Sequence, residues 1–319
     1  MSDDRFPFPA YPDGWFRIAY SEDLKPGDVQ PLKYFGKDLV LFRTEAGDAA
    51  LLDAFCSHLG THLGHGSKVV GDCIECPFHA WRFDAQGQVA LIPYAKKIPP
   101  RARVGRWHLR EINGHIFAWH HGAGQAPGWE IPLVPEVESE QWTRLYRRTW
   151  RIRTRNQEMA ENSVDTAHFR YLHGSTNLPP AKAWAEGPIF RSDAEPGMST
   201  PRGGVQGCIQ ISAFGFGFTT VRFSGIVDTL NIVSATAIDD EYLDVHFNFT
   251  VKKSGNASID RGVGKAFVAE VSRQLEQDIP VWEHKAFVQR PLICDGDGPI
   301  GLFRSWSRQF YSASEVAAE

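Results

Sequence analysis

The chain holds 319 residues, 42% hydrophobic and 23% charged, with a formal net charge of −4. That length allows two cored domains, the apolar fraction is that of a globular protein, and the mild acidity argues against nucleic acid as a main partner. No stretch approaches the roughly eighteen apolar residues of a membrane span, and Met1-Ser2-Asp3-Asp4-Arg5 has no signal-peptide layout, so a cytoplasmic protein is expected.

Residues from about 14 to 120 read as short strands: Trp15–Tyr20, Leu39–Arg43, Ala50–Asp53, Asp72–Cys76, Trp81–Asp84, Val104–Arg110 and His115–Trp119. Turn signals such as Asp84-Ala85-Gln86-Gly87 and Ile112-Asn113-Gly114 separate them. Inside this stretch Cys56, His58, Cys76 and His79 stand as Cys-x-His, seventeen intervening residues, then Cys-x-x-His. Two thiolates and two imidazoles are the ligand set of a Rieske [2Fe-2S] cluster, with both cysteines on one iron and both histidines on the other. Imidazole in place of thiolate leaves the set less anionic, stabilises the reduced cluster and raises its potential. Zinc, the rival metal, usually pairs Cys with Cys and His with His, whereas each pair here mixes the two. Gly60, Gly64, Gly66, Gly71 and Pro77 punctuate the stretch and make each pair a tight loop at the tip of a β-domain. Cys73 reads as a strand thiol, His62 and His65 as solvated or hydrogen-bonded, and Cys208 and Cys294 complete an unpaired, reduced set. Lys96, Lys97, Arg101, Arg103, Arg106 and Arg110 follow, as a docking face for an acidic redox partner or as solvated strand faces.

The Gly- and Pro-rich segment His120 to Pro135 divides the chain into domains 1–125 and 126–319. In a second basic run, Trp150 and Ile152 alternate with Arg151 and Arg153, which predicts a half-exposed strand over about 145–153. A helix through 156–172 is predicted next, with Glu161, Asp165 and His168 at i, i+4 and i+7 along one face. His173 lies five residues beyond His168, roughly 140° round an ideal helix, so both bind one metal only if the helix ends or bulges between them. Gly174 is consistent with a terminus there. Two ordinary hydrogen-bonded histidines are the alternative; beside a Rieske cluster, two imidazoles plus a carboxylate are the set for non-haem Fe(II) oxygen chemistry. Strands over Gly207–Phe218, Thr219–Ser224, Thr229–Ala237 and Tyr242–Val251 precede a long helix from about Arg261 to Phe287. In it Val271, Leu275, Asp278 and Trp282 form an apolar stripe interrupted by one acid, which is costly to bury unless paired or coordinated. Asp278 is therefore the candidate carboxylate, Glu276 and Glu283 read as solvated, and Pro280 should distort the helix just past it.

Cys-x-His…Cys-x-x-His followed by Glu161-Asn162-x-x-Asp165-x-x-His168 and His173 resembles the oxygenase (alpha) component of Rieske non-haem iron oxygenases. The segments Cys73-Ile74-Glu75-Cys76-Pro77-Phe78-His79-Ala80-Trp81, Ile92-Pro93-Tyr94-Ala95-Lys96-Lys97 and Asp278-Ile279-Pro280-Val281-Trp282 resemble its steroid- and sterol-acting branch, the 3-ketosteroid 9α-hydroxylases and Neverland-type cholesterol 7-desaturases. The resemblance implies an α+β architecture: an N-terminal all-β Rieske domain and a C-terminal helix-grip catalytic domain, an antiparallel sheet with a long helix. It implies that Cys56, His58, Cys76 and His79 hold the cluster and that His168, His173 and Asp278 hold a mononuclear non-haem Fe(II). Asp165 matches the bridging acid that joins a cluster histidine, His79, of one subunit to His168 of the next, in a head-to-tail homotrimer. Electrons would come from NAD(P)H through a separate ferredoxin or flavin reductase, and O2 would hydroxylate or desaturate a hydrophobic, steroid-like substrate. The chain departs from that branch in a shorter catalytic domain, in having no counterpart of the membrane-anchoring helix of the animal desaturases, and in Asn177 to Pro201 with its five prolines. Two rivals accompany this reading: a Rieske oxygenase for a smaller aromatic or alicyclic compound, and an electron carrier with a degenerate second domain. Phe214, Phe216, Phe218, Phe223 and Trp184 are expected in the pocket wall, or else in plain core.

Overall fold

The computed structural model describes residues 5–177, 181–195, 197–200, 203–225 and 228–312. Its first half holds strands β1 (Gly14–Tyr20), β2 (Val29–Tyr34), β3 (Lys37–Arg43), β4 (Ala49–Asp53), β5 (Lys68–Val70), β6 (Cys73–Glu75), β7 (Arg82–Asp84), β8 (Val89–Leu91), β9 (Leu109–Ile112) and β10 (His115–His120). They form three small antiparallel sheets, β1-β10-β9, β2-β3-β4 and β5-β6-β7-β8. Strand β2 escaped the sequence reading because Pro31 interrupts its pattern; as an edge strand it needs no ladder donor on its outer side. The predicted strand Val104–Arg110 is not one strand. Its backbone partners change along its length: Val104 donates to Gly87, Gly105 accepts from Asp53 and Trp107 donates to Leu51, so only Leu109 onward joins a ladder. Val40, Phe42, Leu52, Ile74 and Phe83 pack into a core beneath the Cys/His loops.

The second half holds β11 (Tyr146–Ile152), α1 (Asn156–Glu161), α2 (Ala167–Tyr171), β12 (Ala181–Glu186), β13 (Ile189–Ala194), β14 (Gly197–Thr200), β15 (Gly203–Gln206), β16 (Cys208–Phe214), β17 (Phe218–Ser224), β18 (Thr229–Ala237), β19 (Leu243–Val251), α3 (Ala257–His284) and α4 (Ile300–Ser307). Seven strands make an antiparallel sheet in the order β11-β19-β18-β17-β16-β13-β12. The 28-residue α3 seals its core, with Val268, Leu275 and Trp282 against Ile152, Val245 and Phe249. The α+β expectation, a β-domain followed by a sheet with a long helix, is borne out. The single helix predicted over 156–172 is instead two short ones. The Asp165 carboxylate accepts from the N–H groups of Ala167 and His168 (3.2 and 3.4 Å) and so starts a new turn at α2. Glu161 and His168 consequently do not share a face of one helix. The Pro-rich stretch from Asn177 supplies β12 and β13, joined by a turn at Gly187 and Pro188.

The halves share a core. Phe16, Leu39 and Ile116 from the first pack with Phe190, Phe216, Phe303 and Trp306 from the second. Buried Arg17 sends its guanidinium to Asp244 (2.8 Å) and Ser234 (3.2 Å), and Tyr34 donates to the same Asp244 carboxylate at 2.6 Å. Backbone bonds from Phe35 to Ala237 and from Gly36 to Ile238 cross the same junction. At Gly217 a Cβ would stand 2.1 Å from the Trp15 carbonyl oxygen, so the β16–β17 turn sits directly on β1. No helix among the described residues is long and apolar enough to cross a membrane.

Candidate metal centres and active-site cavity

The two Cys/His loops have the same backbone design. The Cys56 carbonyl accepts from Gly60 N–H (2.9 Å) and the Cys76 carbonyl from Ala80 N–H (3.0 Å). The Cys56 N–H donates to Thr61 and the Cys76 N–H to Trp81 (2.9 and 2.8 Å). Each loop closes through a left-handed residue, Gly60 at φ +76 and Ala80 at φ +55, the latter at a strain cost of about 1 kcal/mol for a side chain with Cβ. Both cysteines are buried, and burial pushes the Cys56 thiol up to about 11, so a thiolate there requires a cation. The His58 and His79 rings lie 4.7 Å apart; His58 stacks on Trp81 and His79 against Phe78. His62 accepts from Gly64 N–H and packs on Phe55, and Cys73 is a half-buried residue of β6.

The second set is assembled from α2, the residues after it and α3. His173 N–H donates to the His168 carbonyl at 3.3 Å and Gly174 adopts φ +78, so the helix ends where a shared metal requires it to. Donor atoms of His168, His173 and Asp278 lie within 4.8 Å of one another. The His168 Nδ1–H donates to the Asp165 main-chain carbonyl, and the His173 Nδ1–H to Gln277 Oε1 at 3.1 Å. Both imidazoles therefore turn an Nε2 lone pair to the common point. Asp278 is 7% exposed, and its Oδ1 stands 3.3 Å from His173 Nε2 outside hydrogen-bonding geometry. A buried carboxylate oxygen facing an imidazole lone pair is repulsive unless a proton or metal ion lies between them, and the donor set fits Fe(II). Burial opposes charge on His173, but the Asp278 carboxylate and Gln277 outweigh it and raise its pKa above the ordinary value.

Asp165 keeps its side chain 38% exposed beside this set, 3.9 Å from His168 Nδ1. The His168 side chain, then the capped N–H groups, hold its carboxyl below the usual range. The His168 Nδ1–H itself bonds to the Asp165 main-chain carbonyl, and the carboxylate Oδ1 takes the Ala167 and His168 N–H groups. At Gly298 a Cβ would meet the Val164 carbonyl at 1.7 Å, so the loop before α4 presses directly on the residue preceding Asp165. Glu161, expected beside Asp165 and His168, turns away and forms a mostly buried bidentate pair with Arg304 of α4 (2.7 and 2.8 Å).

The three donors line a cavity of about 190 Å³ between the sheet and α1, α2, α3 and α4. Of the five aromatic residues expected in its wall, Phe216 and Phe223 are there. Phe214 and Phe218, opposite one another across the β16–β17 hairpin, pack with Phe117 and Trp15 instead, and Trp184 lies on the edge strand β12. The sequence reading missed Gln277, Asn156 and Asn162. Asn156 and Asn162 line the cavity and Gln277 orients His173. Gln277 sits next to Asp278 in sequence, but only the docking of α3 against the His173 segment gives it a role.

The model of the Rieske [2Fe-2S] domain matches residues 14–103, and that of the 3-ketosteroid 9alpha-hydroxylase C-terminal domain matches residues 118–311. Cholesterol 7-desaturase nvd 1 of Ciona intestinalis is 32% identical over 95% of this chain and 69% of its own length. The oxygenase component of a 3-ketosteroid-9-alpha-monooxygenase of Rhodococcus rhodochrous is 32% identical over 93% and 83%. In fold, the chain is similar to Pseudomonas putida CBB5 NdmA with caffeine (TM-score 0.74, 18% identity, 92% of this chain and 89% of that one). It is also similar to dicamba monooxygenase bound to dicamba (TM-score 0.71, 17% identity, 93% and 96%).

Proposed function

The chain belongs to the Rieske oxygenases with a 3-ketosteroid 9α-hydroxylase C-terminal domain, and from that premise we propose that it hydroxylates or desaturates a steroid-like substrate. It is an oxygenase component of the kind that needs a separate reductase, so the electron-carrier reading falls away. One observation carries the proposal: two imidazoles and a buried carboxylate converge on the wall of an apolar cavity, in a chain that also holds a cluster ligand set. In this reading Cys56, His58, Cys76 and His79 hold the [2Fe-2S] cluster and His168, His173 and Asp278 hold the iron. When bound, the two groups supply single electrons and O2 activation.

The residues of the chain do the rest. Asp165 and Gln277 hold the two rings so that each offers Nε2. The apolar lining, including Ile209, Ile211, Val233 and Phe247, keeps water from the reacting C–H bond. Hydroxylation consumes O2, two electrons and two protons and gives an alcohol and one water; desaturation takes the same input and gives an alkene and two waters. The reductase, fed by NAD(P)H, would dock on the exposed basic run Lys96 to Arg110 that follows the cluster loops in sequence. Outside the cluster set, Cys73, Cys208 and Cys294 form no disulfide, which supports a reducing, cytoplasmic compartment.

A homotrimer is part of this reading. Phe55, Leu59 and Phe78 are exposed around the cluster loops, Tyr171 is 78% exposed on α2 and Leu292 is fully exposed before α4. Two unpartnered apolar faces, one at each metal-handling end, suit a head-to-tail contact that brings His79 to the partly exposed carboxylate of Asp165 in the next subunit. Light scattering should return three times the chain mass, and a monomer at micromolar concentration would remove the bridge.

The function is tested by turnover of a sterol and ketosteroid panel with a surrogate reductase, read by product mass. Gain of one oxygen identifies hydroxylation and loss of two hydrogens desaturation; neither, with any steroid, would reject the substrate class. The cavity volume of about 190 Å³ falls below the roughly 300–1,000 Å³ of many ligand pockets and favours, as a second reading, a smaller alicyclic or aromatic compound. Such compounds belong in the same panel.

A further inference from the structure

Resting on the steroid reading above, we propose that Thr219 is a specificity-determining residue whose hydroxyl selects a substrate with an oxygen on a terminal ring and sets which end of it lies against the sheet. Thr219 is the second residue of β17 and lines the cavity. Strand alternation puts its side chain on the same face as those of Val221 and Phe223, which line the cavity too, while Phe218 and Thr220 on the opposite face are buried. Its cross-strand neighbours, Ala213 and Val233, are also cavity residues. The side chain therefore faces the cavity among apolar groups. Its hydroxyl has no hydrogen-bond partner among the described residues and, unlike that of Thr154, is not sealed inside the fold.

Other polar side chains of the sheet are engaged within the fold. Thr220 accepts from Arg222 at 3.2 Å, Thr236 donates to the Arg17 carbonyl at 2.6 Å, and Thr250 to the Thr143 carbonyl at 2.7 Å. Asn231 on the cavity wall is 1% exposed, and its Oδ1 takes the Asn248 N–H at 3.0 Å. The Thr219 hydroxyl serves no such purpose, at a position where valine, of the same shape, would suit the apolar lining better. In an open cavity water satisfies it, whereas a hydrocarbon ring packed against it leaves it unsatisfied. A ring that carries oxygen removes that penalty. Because a hydroxyl both donates and accepts, Thr219 suits a ketone and an alcohol alike and disfavours only the bare ring. The histidines stand on the helical wall and Thr219 on the sheet wall. A ring system held by its oxygen at β17 thus presents a defined C–H bond to the opposite side. The substrate class is an apolar fused-ring compound oxygenated at one end.

The test is calorimetric titration of the metal-loaded protein, without reductase, by three steroids of one skeleton, with oxygen on the first ring only, on the last ring only, and on neither. At least one oxygenated steroid should bind ~5-fold or more tightly than the unsubstituted one. Thr219→Val keeps the shape and the β-branching and removes only the hydroxyl. In it that preference should shrink to within ~2-fold, and the unsubstituted steroid should bind no more weakly than before. Thr219→Ser should retain the preference. Because the hydroxyl holds nothing within the fold, Thr219→Val should leave the melting temperature of the ligand-free protein undiminished, and a fall would assign Thr219 to stability instead. Equal affinities for all three steroids, or a preference that survives in Thr219→Val, overturn the assignment and leave the steroid reading standing. Failure of all three to bind overturns both.

Discussion

In the β half, each pair of proposed cluster donors sits in one short loop whose own backbone bonds set its shape. In the catalytic half, the three donors come from a broken helical segment and a distant long helix, and nothing local brings them together. Cys56 and Cys76 repeat one turn, closed in both cases by the same two hydrogen bonds. His168, His173 and Asp278 meet only after α3 has docked across the sheet. A locally determined site should tolerate damage elsewhere in the fold, and a site assembled from afar should not.

The sharpest way to break that contrast is to remove one donor from each region. Asp278→Ala should lower iron from about three to about two per chain, keep the cluster's visible spectrum and cut product formation by at least ~100-fold. Cys76→Ser should do the converse, losing the cluster and an equal share of coupled turnover. Loss of both centres in either variant would mean that the regions are not independent. Asp165→Asn comes next: metal content and cluster reduction should survive while coupled turnover falls by ~10-fold or more, measured as product per NAD(P)H consumed. Unchanged coupling would end the bridging role.

Stability probes sharpen the comparison further. Replacing Arg304 by Ala leaves Glu161 charged and mostly buried, which should cost about 3 kcal/mol and lower the melting temperature. Iron should be lost from the helical site before the cluster bleaches. A similar amount is at stake at His115, fully buried at the junction of the halves. Burial there lowers its pKa to about 4, with the Asn113 carbonyl opposing. A histidine held neutral in the fold contributes in full above its unfolded pKa of about 6.5, and its contribution is lost as pH falls from there toward 4. Up to ~3 kcal/mol should disappear over that window, and His115→Phe should flatten the acid limb of a stability–pH profile. The smallest effect is expected in the cluster loop. Ala80→Gly removes a Cβ from the left-handed turn and should stabilise by up to ~1 kcal/mol, seen as slower cluster loss in denaturant.

Legibility in the sequence followed the same divide. The proposed cluster donors stand out in the sequence because residue type and spacing within one loop determine their geometry. Asp278 was readable for a different reason: an acid in an apolar helical stripe is anomalous, and Leu275 and Trp282 on either side of it are indeed buried. The break after Glu161 lies in Asn162-Ser163-Val164-Asp165-Thr166, all poor helix formers; the i, i+4, i+7 spacing of Glu161, Asp165 and His168 masked that signal, and the interruption comes from Asp165 bonding to the next backbone turn. Strands β12 and β13 were hidden by the prolines around them in sequence, and Gln277 by a role that exists only through tertiary contacts. Of the expected wall phenylalanines, half faced the other way, because an aromatic-rich hairpin has two faces and composition does not say which is wet.

The junction built by Arg17, Asp244, Tyr34 and the pressed Gly217 turn has a consequence for inheritance and engineering. The halves look like interchangeable cassettes in sequence, yet their largest core belongs to neither alone. Calorimetry should return one cooperative transition, and either half produced by itself should come out as aggregate. Grafting the cluster domain of one relative onto the catalytic domain of another should fail unless Arg17 and Asp244 travel together.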